Sequence, residues 1–175
     1  MKRYEVRDKE TVWEGRFLRA LRVQYQDSGG TLRHWETVER VNCDGIVAIV
    51  PVTHEGDIIL IKQFRPTVNS YVVEFPAGLN DRGEGLEDAA ARELREETGY
   101  ESDKLIFLAS GPISSGSSSE ILTVYLAKDI HFKGVQGRDE TEDIEVLHIP
   151  LPSLDKELSR FVQEGNFIDL KIYGF

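Results

Sequence analysis

Apolar positions along this chain come in short runs whose period changes from one stretch to the next. Residues 45–52 (GIVAIVPV) are almost continuously apolar, the pattern of a strand buried on both faces. After the turn signal Glu55-Gly56-Asp57, a second run covers 58–65 and stops at Pro66, and a third covers 71–75. From 86 to 98 neither proline nor glycine occurs, Ala, Leu, Glu and Arg predominate, and Gly99 stands where a C-cap glycine would end a helix. Stretches 104–109, 121–127 and 144–149 read as strands, with a loop at 110–120 and a polar loop at 134–142. Residues 152–164 have helical period, with Leu154, Leu158 and Phe161-Val162 on one face, while 166–175 fit no single pattern. Ahead of all this, 17–25 and 32–38 alternate imperfectly around Ser28-Gly29-Gly30, which predicts a long-armed antiparallel hairpin. The pattern predicts an α/β fold, a mixed sheet flanked by helices and preceded by an antiparallel β arm. We divide it into an arm, 1–42, and a main domain, 43–175. An arm with so little core of its own is expected to pack across a homodimer partner.

Composition narrows the class. The 175 residues are 40% hydrophobic and 30% charged, the balance of a soluble globular chain. No apolar run approaches the ~20 residues of a membrane span, and the polar start MKRYEVRDKE does not read as a secretory signal. One cysteine, Cys43, can make no internal disulfide, which suits a cytoplasmic setting. A net charge of -10 argues against nucleic acid as a partner, because such binding rests on Lys and Arg neutralising phosphates. A small phosphate-bearing ligand remains compatible, since bound metal ions can supply positive charge locally.

The 86–98 helix carries the chemistry. Glu93, Glu96 and Glu97 fall at i, i+3 and i+4, so three carboxylates share a face and repel one another. A hard cation such as Mg²⁺ would neutralise them; from the glutamates alone, a solvated acidic face is slightly the better reading. The wider spacing decides: Gly78, five residues, Glu84, seven residues, then Arg92-Glu93-Leu94-Arg95-Glu96-Glu97-Thr98-Gly99-Tyr100. This resembles the Nudix box of the Nudix pyrophosphohydrolases, departing only at Tyr100, where the pattern has an aliphatic residue. The resemblance implies a Nudix-type α/β/α sandwich and a Mg²⁺-dependent hydrolase, with Mn²⁺ a possible substitute. It implies metal ligands at Glu93, Glu96 and Glu97 and at the backbone carbonyl of Ala77. Arg92 would orient the box carboxylates, and Glu84 would support them.

Two further stretches, 61–66 (IKQFRP) and 73–78 (VEFPAG), resemble the ADP-ribose pyrophosphatase and nucleoside diphosphate sugar hydrolase branch. So does 33–40 (RHWETVER), where that branch places a base-stacking tryptophan and a substrate arginine. Composition alone makes Trp35 and Phe17 packing residues; the resemblance makes Trp35 a purine platform and Phe17 a second ring. It likewise turns Arg65 and Arg40 from surface ion pairs into phosphate or ribose contacts. Leu79 and Ser114 complete the implied substrate-binding set. The branch's proline, about sixteen residues beyond the box, is Ser115 here, with Pro112 three residues early. That serine-rich loop favours a broad nucleoside diphosphate sugar preference, GDP-mannose included, over ADP-ribose alone.

A general base must come from outside the metal-holding glutamates. The loop Arg138-Asp139-Glu140-Thr141-Glu142-Asp143 would by itself be a solvated charged turn. The resemblance selects Glu142 as the base, with Glu120 the alternative. Two other readings stand beside hydrolysis of nucleoside diphosphate sugars. One is a non-catalytic nucleotide-sensing module, which loss of box glutamates would favour. The other is a Nudix enzyme acting on nucleoside triphosphates or capped RNA, which the acidic charge disfavours.

Overall fold

The computed structural model describes residues 3–134 and 143–175. Three strands, β1 (Glu5–Glu14), β2 (Leu18–Gln26) and β3 (Leu32–Arg40), form an antiparallel sheet in the order β1-β2-β3. The expected hairpin is therefore a three-stranded sheet. Strand β1 has only Val6, Val12 and Trp13 as large apolar residues and is exposed throughout, so no burial pattern announced it. Its pairing with β2 is what makes it a strand. The β2–β3 turn is held by Asp27, whose Oδ1 accepts from the backbone N–H groups of Gly29 and Thr31, both at 2.9 Å. Its Oδ2 accepts from Arg33 Nε at 2.7 Å, and this bond with the Thr31 N–H holds the carboxyl below its ordinary pKa.

The second sheet is mixed. Its strands are β4 (Ile46–Thr53), β5 (Asp57–Arg65), β6 (Ser70–Glu74), β7 (Ala77–Leu79), β8 (Tyr100–Glu101), β9 (Leu105–Pro112), β10 (Ile121–Phe132), β11 (Ile144–Pro150) and β12 (Phe167–Ile168). The path runs β12-β6-β5-β4-β10-β8, with β11 on β5, β7 on β4 and β9 on β10. Pairs β4–β10 and β6–β12 are parallel and the others antiparallel. Strand β10 outruns its expected end because Asp129, at φ 53°, bulges the chain and lets it resume against β8. Strand β7 was not expected, since Pro76 and Gly78 hide it from any periodicity.

Helices α1 (Leu86–Thr98) and α2 (Leu154–Gln163) cover opposite faces. Val47, Ile49 and Ile59 point toward Ala89, Ala90 and Leu94 of α1. Ala48, Val50, Leu60, Val73 and Phe75 point toward Leu158 and Phe161 of α2. This alternation is why β4 reads as apolar at every position. Helix α1 ends as its sequence says: Gly99 sits at φ 78°, and its N–H bonds the Arg95 carbonyl at 2.9 Å. The ambiguous tail is β12 followed by a 3₁₀ turn, Leu170–Tyr173, which buries Ile172. Among the described residues, no helix is long and apolar enough to cross a membrane.

The arm is fastened to the loop after β9. Val38 N–H donates to the Ser117 carbonyl at 2.9 Å, Thr37 Oγ1 to the same carbonyl at 3.1 Å, and Trp35 Nε1 to that of Gly116 at 3.0 Å.

Candidate active site

Helix α1 lies against the β7 backbone, and two small residues there make room for its carboxylates. Gly78 takes the Glu93 side chain: a Cβ in its place would lie well inside van der Waals distance of the carboxyl carbon and both oxygens. Beside it, the Ala77 N–H donates to Glu97 Oε2 at 2.9 Å, and Glu97 is only 4% exposed. Glu96 faces outward from the same side of the helix. Its Oε1 accepts from Arg82 at 3.1 Å and its Oε2 from Arg92 at 3.0 Å.

Arg92 is the hub. Its Nε and Nη2 donate to Glu84 Oε1 at 2.8 and 2.7 Å, and Nη2 also to the Leu79 carbonyl at 3.0 Å. Its Nη1 reaches Glu93 Oε1 at 2.6 Å as well as Glu96. Burial works against the guanidinium's charge. The bonds to Glu84, Glu93 and Glu96 outweigh it and hold the pKa above its ordinary value. The loop leading into the helix is pinned at Asn80: its N–H bonds Gly45 O at 2.9 Å, its carbonyl accepts from Asp44 N–H at 2.8 Å, and its Nδ2 donates to Glu84 O at 2.9 Å.

Arg65, at the end of β5, donates from Nε to Glu74 Oε1 at 2.8 Å while 40% of its side chain stays exposed. Glu74 is 7% exposed; burial raises its pKa, with Arg65 opposing the rise. The sequence reading passed over Glu74. Its signal was a carboxylate inside the apolar run 72–75, but only the cross-strand register shows it facing Arg65's side of the sheet.

The arm residues form a separate group. Trp35, half exposed, lines a cleft of about 390 Å³ with Val23, Tyr25, Ser115 and Ser118. Phe17 is exposed and does not line that cleft; Arg16 stacks over its ring at 5.0 Å. Arg40 and Glu120 bind each other, Nε to Oε1, at 2.8 Å, so these two candidates form an ion pair. Ser114 closes the serine loop, its carbonyl accepting from the N–H groups of Ser117 and Ser118 and its Oγ meeting Ser117 Oγ at 2.8 Å. Glu142 lies outside the described residues.

A second cleft, about 600 Å³, lies where β4 ends, lined by His54, His131, His148, Tyr100 and Phe132 with Glu55, Asp57 and Asp129. Among the described residues, no three His, Cys, Asp or Glu side chains converge as a ready-made metal site. Glu84, Glu93 and Glu96 are instead arranged around Arg92, and Glu97 accepts from the Ala77 N–H.

Residues 44–165, which include the glutamate-rich helix and the glycine turn it is held against, match the family model described as the NUDIX domain. The chain belongs to the Nudix hydrolase family. It is 33% identical to the ADP-sugar pyrophosphatase of Mus musculus over 97% of this chain and 84% of that one. It is 41% identical to the ADP-ribose pyrophosphatase of Bacillus subtilis over 65% of this chain and 62% of the relative. Among solved structures, a crystal structure of an ADP compounds hydrolase superposes with a TM-score of 0.77 at 29% identity, covering 91% of this chain and 84% of that one.

Proposed function

We propose that this protein hydrolyses the diphosphate bond of nucleoside diphosphate sugars, ADP-ribose and GDP-mannose among them, to a nucleoside monophosphate and a sugar phosphate. The observation that carries this reading is the placement of Glu93 and Glu97 against the Ala77-Gly78 backbone, with Glu96 on the same helix side. Three carboxylates and a nearby backbone carbonyl are hard oxygen donors, the set that suits Mg²⁺. Glu93, Glu96, Glu97 and the Ala77 carbonyl would hold the ion, with Mn²⁺ an alternative. When bound, it supplies charge to the diphosphate oxygens and lowers the pKa of water.

The chain's own side chains do the rest. Arg65, steered by Glu74 and still open to solvent, meets a phosphate or ribose. Trp35 stacks the base, with Arg40, Phe17, Leu79 and Ser114 completing the substrate contacts. Glu142 takes the proton from the attacking water, and Glu120 is the alternative. In this reading 1–42 is an arm that supplies base contacts and a homodimer interface, and 43–175 is the catalytic domain. The exposed apolar residues Val6, Val12, Trp13 and Phe17 on the arm support an interface of that kind. The reading also sets the protein in the cytoplasm.

The test is a product-resolved hydrolysis screen with Mg²⁺ over ADP-ribose, ADP-glucose, GDP-mannose, UDP-glucose and a nucleoside triphosphate. Nucleoside monophosphate and sugar phosphate from the diphosphate sugars are expected. Turnover of the triphosphate alone would overturn the assignment, and a monomer in sedimentation would overturn the dimer.

A further inference from the structure

Gln63 stands two residues before the end of β5, across from Ile144 of β11 on one side and Val72 of β6 on the other. It shares a sheet face with Ile59 and Ile61, and Ile59 packs in the cluster that α1 covers. Glu74 is opposite Ile61 on that face, and Arg65 is two residues further along. Gln63 is 8% exposed, and its Oε1 is enclosed without a hydrogen-bond donor among the described residues. An enclosed acceptor with no donor costs free energy that an apolar side chain of the same length would not. The run 58–61 beside it is wholly apolar and buried, so packing alone asks for no amide at this position.

We infer that Gln63 is a substrate-recognition residue whose Oε1 accepts a hydrogen bond from a sugar hydroxyl of the nucleoside diphosphate sugar. The inference rests on the proposed activity. Two residues along a strand span ~7 Å, so a phosphate at Arg65 leaves the adjoining sugar within reach of Gln63. A hydroxyl is also the chemistry that a buried, donor-seeking oxygen selects most sharply, because a ligand lacking it leaves the oxygen unpaired.

The test compares the full-length wild type with Gln63→Met, which keeps length and loses the acceptor, and Gln63→Glu, which keeps an acceptor. Substrates are ADP-ribose, its 2′- and 3′-deoxyadenosine analogues, and an ADP alkyl ester without the second sugar. Gln63→Met should melt at or above the wild-type temperature and lose about 10- to 100-fold in kcat/KM on ADP-ribose. The loss should vanish on the one analogue that lacks the partnered hydroxyl, and Gln63→Glu should recover part of it. An equal loss on every analogue, no loss at all, or a melting temperature several degrees lower with activity following the folded fraction would each overturn the inference. A wild type inactive on all the diphosphate sugars would overturn the underlying activity instead.

Discussion

Gly78→Ala tests the site's construction with a single methyl group. Gly78 is not in the left-handed region, so alanine meets no backbone strain there. What it meets is Glu93: the new Cβ falls on the carboxyl carbon and both oxygens. The carboxylate must move by roughly 1 Å or more before ordinary packing distance returns. It cannot move alone, because Arg92 binds it at 2.6 Å and binds Glu84 and Glu96 as well. Overpacking of this kind costs ~1–3 kcal/mol, and at this chain length that is a melting shift of about 3–10 °C. Activity should suffer more, since ~1 Å misplacement of a reacting constellation can cost ~10²-fold. The assay is a pair of thermal melts and Mg²⁺-dependent hydrolysis rates, run in wild type and in a Glu93→Ala background. With Glu93 truncated, Gly78→Ala should cost no stability and gain ~0.4–1 kcal/mol from the stiffer unfolded chain. Wild-type activity in Gly78→Ala, or the same stability loss in both backgrounds, would refute the reasoning.

Glu97→Gln should abolish most activity while the fold survives, because a carboxamide oxygen still accepts from Ala77 N–H; wild-type kcat at saturating Mg²⁺ would remove Glu97 from the metal set. Trp35→Ala should raise KM by about 5- to 150-fold with a smaller change in kcat, the worth of one stacked base. Trp35→Phe, which loses the bond to Gly116 but keeps an aromatic face, should raise KM less than alanine does, and a rise as large as alanine's would count against stacking. Glu142→Gln should lower kcat by ~10²–10⁴-fold with substrate affinity and Mg²⁺ dependence kept, and Glu120→Gln should be affected less; the reverse order moves the base to Glu120. Burial raises Glu74 above its ordinary 4.5, so the folded state holds that proton more tightly than the unfolded state. Wild-type stability should therefore fall relative to Glu74→Gln as pH climbs from 4.5 through the raised value, and a pH-independent difference in denaturant titrations would contradict this.

What was legible in the sequence is what depends on near neighbours. Helix α1 runs from Leu86 to Thr98 with its glycine cap in place, because propensity, cap and period all agree over thirteen residues. The doubly buried β4 was legible for the same reason: composition reports burial directly. Strand β1 was not, because charged residues fill it and only its partner β2 makes it a strand. Gln63 and Glu74 were passed over as site residues for a related reason. Each is a polar side chain within an apolar run, and its meaning appears only when the register of β5 with β6 and β11 puts it on the α1 side of the sheet. The Arg40–Glu120 pair, joining the arm to the serine loop across eighty residues, is a tertiary fact of the same kind.

The fixed spacing of the box follows from one connected set of contacts. Glu93 and Glu96 lie within one turn of helix and repel, so the fold needs a cation that does not leave, and Arg92, bound to both, is that cation. A guanidinium on the helix must itself be aimed, and Glu84, eight residues earlier, does so by accepting both Nε and Nη2. Glu84 can reach only if the loop before α1 is tied down, which Asn80 does through Gly45, Asp44 and the Glu84 carbonyl. Arg92 then draws Glu93 toward β7, where any side chain at 78 would block it. Moving any one of Gly78, Glu84, Arg92 or Glu93 by a single position breaks a named contact. The glycine, the two glutamates and the arginine are therefore one device for holding like charges together, and their spacing in the sequence is its geometry.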